Sequence, residues 1–266
     1  MRRQPAVAGQ FYPADASALA AQVWELMPES AERRAVALLA PHAGYIYSGK
    51  VAGKTFAAAQ IPDQVVLLGP NHHGIGARAA IDPSEAWVTP LGAVSLAQHL
   101  AAELCDASPR FTLDATAHQH EHSLEVMLPF LQMRSPSLKI LPISFSRLSL
   151  VDLIEIGEIL GDVLLQQSQR TLIVASSDMT HFESGAQARR KDYLALETIL
   201  ALDPEGLYAT VCQHDISMCG MVSSVVMLAA AKRLGAKRGE LIDYANSGAV
   251  TGDESRVVAY AGALIH

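Results

Sequence analysis

Three cysteines in 266 residues, Cys105, Cys212 and Cys219, are too few and too scattered for a disulfide framework. Basic clusters are missing too. Twenty Lys and Arg stand against 27 Asp and Glu, a net charge of −7, which argues against a dedicated nucleic-acid binder. No run reaches the ~18 apolar residues of a membrane helix, although mean hydropathy is +0.20. The start, MRRQPAVAGQFYPADA, has two arginines but no apolar stretch, so it does not read as a signal peptide. No GxxxxGKS/T occurs and no GxGxxG follows a strand, so nucleotide binding has no local support. The lack of a GxSxG elbow weakens a serine hydrolase reading. Repeats, low-complexity tracts and linkers are also lacking. Half of the residues are hydrophobic and only 18% are charged. The expectation is a soluble, cytoplasmic protein with one domain over residues 1–266.

One rhythm recurs along the chain: a short apolar run, then small and polar residues, then a helical pattern. AVALLA (35–40) leads into PHAGYIYSG, QVVLL (64–68) into GPNHHG, LKILPI (138–143) into SFSRLS, and TLIVA (171–175) into SSDMTHF. RVVAYAGALI (256–265) reads as a last strand. Continuous apolar runs of this length suit strands buried on both faces. Helical spacing marks 15–27, 48–59, 96–104, 122–133, 149–166, 187–202 and 221–234. Strands alternating with helices predict a largely parallel sheet with helices on both faces. Ligands of such sheets bind beyond the carboxyl ends of the strands.

The histidines gather there. Of ten, seven fall in four short segments: His42; His72 and His73; His118, His120 and His122; and His181. Imidazole is the commonest transition-metal ligand. Adjacent His72 and His73 on extended backbone point opposite ways, so at most one is expected to be a ligand. His118 and His120 read as a solvated polar loop. If His122 opens a helix, Glu125 shares its face. Asp178, three residues before His181, can orient an imidazole, ligate a metal or cap the next helix. Cys219 precedes a helical run whose free N–H groups favour a thiolate, which makes it a candidate ligand or nucleophile. It reads equally well as a small buried hydrophobe. Cys105 and Cys212 look like core fillers.

The segments PAVAGQFYP, LLAPHAGYIYSG, LLGPNHH, EHSLEVMLPFLQ, VASSDMTHF, MCG, YANSGAVTGD and VVAYAGALI occur in the order found in the Memo family. The chain resembles that family from about residue 4 to its C-terminus; bacterial and archaeal members are also called AmmeMemoRadiSam system protein B. The family is similar in fold to class III extradiol (LigB-type) non-haem iron dioxygenases, which implies a three-layer α/β/α sandwich around a mostly parallel mixed sheet. The resemblance implies metal ligation by His42, His72 and Cys219. It implies an acid–base role for His181 with Asp178 beside it. It places His73, His122, Glu125, Asn246 and Ser247 at the substrate pocket. The implied metal is iron or copper, with zinc possible, since a thiolate is softer than the dioxygenases' carboxylate. A redox or oxygen-dependent activity on an unknown small molecule or peptide is the expected function, with a pathway link to radical-SAM and AMMECR1-type proteins. The rivals are a zinc-dependent hydrolase and a non-catalytic peptide-binding module with a vestigial site. The chain carries no Arg-rich patch for phosphopeptide capture.

Overall fold

The apolar runs fall in strands and most of the periodic segments in helices, arranged about one twelve-stranded sheet. The computed structural model describes residues 1–266. Its first half runs β1 (Arg2–Arg3), α1 (Ala16–Leu26), β2 (Ala37–Ala40), α2 (Tyr45–Ala58), β3 (Gln64–Pro70), β4 (Ala79–Ile81), β5 (Ala86–Thr89), β6 (Gly92–Leu96), α3 (Gln98–Ala107) and β7 (Thr112–Leu113). Two 3₁₀ turns, Thr116–His118 and Glu125–Met127, lead into α4 (Leu128–Arg134). The second half runs β8 (Lys139–Phe145), α5 (Leu150–Leu165), β9 (Thr171–Ser176), β10 (His181–Glu183), α6 (Gly185–Leu200), α7 (Pro204–Gln213), α8 (Met221–Arg233), β11 (Gly239–Asn246), α9 (Gly248–Thr251) and β12 (Val257–Ile265).

The sheet order is β1-β5-β6-β8-β3-β9-β2-β12-β10, with β11 on β12 and β4 and β7 extending from β8. The central five strands, β6 to β2, are parallel. Antiparallel pairing is confined to the flanks, where β12 meets β2, β10 and β11, β5 meets β6, and β4 meets β8. Side chains alternate across a strand, so each central strand feeds two cores. Leu38, Val65, Leu67, Leu172 and Val174 pack on one face with α1, α2 and α4. Leu39, Val66, Leu68, Ile173 and Ala175 pack on the other with α3 and α5 to α8. The result is a three-layer α/β/α sandwich. No helix is long and apolar enough to cross a membrane.

Several expectations shift. The helix read over 122–133 begins at Leu128, because a 3₁₀ turn occupies Glu125–Met127. α7 and β11 carry no strong period: β11 is half-buried at every position, so nothing alternates. His118 is not in a solvated loop. It is fully buried, its Nε2 within 2.9 Å of the Ala80 carbonyl and its ring edge-on to Trp87. Cys105 packs at the edge of a core, whereas Cys212 is exposed and fills none.

A candidate metal centre at the strand ends

β3, β9 and β2 are neighbours in the parallel core, and their carboxyl ends open onto one cleft. The loop after β2 carries His42, the loop after β3 carries His72, and β9 ends in Ser176 with Asp178 two residues on. A fourth segment, 121–125, closes over the end of β3. Gly69 permits this, because a Cβ there would lie 2.6 Å from Leu124 Cδ2 and 2.9 Å from Ser123 Oγ. The turn before α8 approaches β9 in the same way. A Cβ on Gly220 would lie 2.3 Å from the Ser176 carbonyl, so glycine is required beside Cys219.

Three imidazoles converge. One ring nitrogen from each of His42, His72 and His122 lies within 4.8 Å of the other two. The rings of His72 and His122 stack at 4.8 Å, and both stand edge-on to His42, at 5.2 and 5.5 Å. Two nitrogens bound to one ion at about 2.1 Å lie roughly 3–4 Å apart, close to the spacing of these three rings.

The hydrogen bonds around the rings fix their tautomers. Ser176 Oγ donates its only hydrogen to the Ser123 carbonyl at 2.6 Å, so it must accept at its 2.7 Å contact with His42 Nδ1. His42 therefore carries its proton on Nδ1 and keeps a lone pair on Nε2. Glu121 Oε1 accepts from His72 Nδ1 at 2.8 Å, so in the neutral ring Nε2 keeps the lone pair. Glu121 also accepts from the backbone N–H groups of His72, His122 and Ser123. Burial alone would raise its pKa. The hydrogen bond from His72 and the N–H groups of Ser123 and His72 outweigh that and hold the carboxyl well below the usual range. Burial pushes His42 well below its ordinary pKa and lowers His122 to about 4, with the neighbouring imidazoles adding to both shifts. Both rings are neutral at physiological pH, the form that binds metal.

Cys219 Sγ lies 3.2 Å from His42 Nε2 and accepts from the Asp178 N–H at 3.2 Å. Burial and the Asp178 carboxylate raise its thiol above the ordinary value, against the expectation of a helix-stabilised thiolate. The structure thus brings Cys219 to His42, while the third converging imidazole is His122. Asp178 caps no helix. Its Oδ1 accepts from the N–H groups of His42 (2.8 Å) and Ala43 (3.3 Å), fixing the turn that presents the ring. Burial raises its pKa to about 6 despite those donors. His181 lines the cleft. Its Nδ1 donates to the Ser217 carbonyl at 2.9 Å, leaving Nε2 as a proton acceptor.

The cleft, of about 430 Å³, is walled by His42, His72, His122, His181, Ser247 and aromatic side chains including Phe11, Tyr47 and Tyr260. Three expected pocket residues do not line it. Glu125 is fully buried, paired with Arg3 at 2.7 Å and accepting from Tyr12 Oη and the Ala6 and Val7 N–H groups. Asn246 is engaged with Glu254 and the Gly248 N–H. His73 is exposed on the far side of the loop, its Nε2 3.1 Å from the His120 carbonyl. Sequence reasoning missed Glu121 and Ser176, which fix the tautomers. The only signal for Glu121 was its place in the EHSLE segment.

Comparison with known proteins identifies the family of the chain. A family profile described as "Memo-like protein" matches residues 3–264. A MEMO1 family protein of Aquifex aeolicus is 42% identical over 98% of each chain, and MEMO1 family protein MK0963 of Methanopyrus kandleri is 41% identical over 98% of each. A MEMO1 family protein of Methanosarcina acetivorans is 40% identical over 99% of this chain and 98% of its own. Among solved structures, that of the uncharacterized protein JW3007 from Escherichia coli K12 superposes with a TM-score of 0.58 at 16% identity. It covers 85% of this chain and 98% of its own, a likeness of fold. With the match running nearly end to end and the relatives of equal length, the chain belongs to the Memo-like family.

Proposed function

We propose that the protein is a metal-dependent oxidoreductase that holds iron or copper at His42, His72 and His122, with Cys219 beside them, and acts on a small organic substrate in the adjoining cleft. The observation that carries this reading is the control of tautomers. Ser176 and Glu121 each accept a hydrogen bond from the Nδ1–H of one imidazole, so that in the neutral rings both Nε2 lone pairs face an ion. Carboxylate or hydroxyl partners behind ligating histidines are the usual supporting shell of a metal site. Imidazole and thiol donors select transition metals over magnesium or calcium. Iron or copper, when bound, supplies a redox couple and open coordination positions.

The chain's own groups divide the remaining work. Asp178 fixes the His42 turn. Tyr47, Tyr260 and Phe11 give the cleft an aromatic wall. His181, its Nδ1–H held by the Ser217 carbonyl, offers Nε2 to take a proton from a substrate hydroxyl or return one. The test is metal analysis of anaerobically purified protein, followed by oxygen uptake with phenolic and thiol compounds. Iron or copper near one per chain with substrate-dependent uptake is expected. Magnesium alone, or metal retained after loss of the three imidazoles, would overturn the reading.

Three imidazoles facing an open cleft also suit a zinc site that activates water. That second reading, a zinc hydrolase, is separated by the same analysis: zinc at stoichiometry, and turnover indifferent to oxygen.

A further inference from the structure

The cleft is chemically lopsided. Its floor is the group of imidazoles, its wall is aromatic, and its lining carries one arginine, Arg256. Five arginines of the molecule pair with carboxylates, among them Arg3 with Glu125, Arg33 with Glu240 and Arg110 with Asp152. Arg256 has no carboxylate partner. Its guanidinium carbon instead sits 4.8 Å from the ring centroid of Phe182.

Phe182 is itself unusual. Its φ is +63°, the left-handed region that bulky side chains seldom occupy. It lies where the β10–β12 register shifts between His181 and Glu183. The bulge turns the ring outward, leaving it 63% exposed at the cleft rather than packed beneath it. A guanidinium stacked on an aromatic face keeps its N–H edge free for a planar two-oxygen acceptor. The nearest acid of the cleft, Asp178, is occupied with the His42 and Ala43 N–H groups.

We infer that Arg256, carried on Phe182, is a specificity determinant that binds the carboxylate of a small aromatic acid whose other end reaches the His42–His72–His122 floor. A single guanidinium neutralises a monoanion and matches a carboxylate's two oxygens. A phosphate dianion would call for a second cation, and the cleft has none. The inference rests on the reading of the three histidines as the reacting end.

The test uses benzoate, benzamide and phenyl phosphate as probes. Binding is measured by calorimetry to the wild type, Arg256→Gln and Arg256→Lys, each as purified and after chelation, with metal content determined on the same samples. Benzoate is expected to bind the wild type at least tenfold more tightly than benzamide in both forms. Arg256→Gln should erase that preference and Arg256→Lys should keep part of it. Equal binding of benzoate and benzamide overturns the inference. So does a preference that survives Arg256→Gln, or one that vanishes on chelation, since the carboxylate would then sit on the ion. Tighter binding of phenyl phosphate overturns the carboxylate class. Failure of the metal reading shows separately, as protein purified without metal whose benzoate preference is unchanged.

Discussion

The sulfur of Cys219 stands 3.2 Å from Nε2 of His42, the nitrogen that Ser176 keeps free of hydrogen. One lone pair thus has two claimants. In the free protein the neutral thiol donates to it. A metal bound here would take that lone pair and stand beside the sulfur. The thiol–imidazole contact would then become a pair of ligands by losing one proton.

That proton is countable. His42 and His122 are neutral well below pH 7, so coordination through them releases nothing between pH 7 and 9. The Cys219 thiol, raised above its ordinary value, is protonated throughout that window, and Asp178, at about 6, is already ionised. Metal binding that recruits Cys219 should release one proton per ion and tighten about tenfold per pH unit. Calorimetry in buffers of different ionisation heat reads this directly. No proton release in the wild type would leave the sulfur outside the coordination shell.

Substitution separates the donors. Cys219→Ser should cost Cu(I) affinity at least tenfold while Fe(II) affinity changes by a few-fold, because hard oxygen suits the harder ion. His122→Ala should weaken both ions together, on the order of a hundredfold, since it removes a nitrogen shared by either site. Equal losses of both ions in Cys219→Ser would contradict a soft-donor role for the sulfur.

The strand-end gathering of His42, His72 and His181 was legible because buried parallel strands read as unbroken apolar runs, and their ends can be located. What lay outside local pattern was lost. Arg3 reaches Glu125 across 122 residues, and nothing near either residue signals a buried ion pair. A helix opening at His122 is one reading of the spacing, but the helical turns there begin only at Glu125 and the His122 ring stacks on His72. Glu121 lies beside a histidine in sequence and binds a different one in space. Long-range pairing of polar groups has no period, so sequence spacing cannot reveal it.

Glu121→Gln tests the tautomer argument. The amide can still accept from the His72 Nδ1–H but loses the charge that strengthens the bond, and it can rotate to offer N–H instead. Metal affinity should fall 10- to 100-fold, the usual cost of losing such support, with the fold retained by circular dichroism. Unaltered affinity would mean that stacking on His122 alone sets the His72 ring.

Glu125→Gln should behave in the opposite manner. The residue is fully buried and away from the cleft, so removing its charge strands Arg3, whose side chain is only 5% exposed. Breaking one partner of a buried pair typically costs roughly 3–5 kcal/mol, which urea denaturation would resolve. Metal bound per folded chain should not change. A loss of metal with full stability would place Glu125 in the site after all.

His181 divides binding from chemistry. Its backbone N–H donates to Ser217 Oγ at 2.7 Å and its Nδ1–H to the Ser217 carbonyl, so one serine fixes both the position of the ring and its tautomer. The free Nε2 lines the same cleft as the three converging imidazoles without being one of them. A positioned base of this kind is typically worth 10²–10⁴-fold in rate. His181→Ala should therefore keep metal stoichiometry and lower turnover by that range, and His181→Gln should do the same because an amide cannot take up the proton. Ser217→Ala should have a smaller effect, since the carbonyl that fixes the tautomer remains. Loss of metal in His181→Ala would make the residue a ligand. Turnover unchanged in both His181 variants would remove it from the reaction and leave the proton to be taken by solvent.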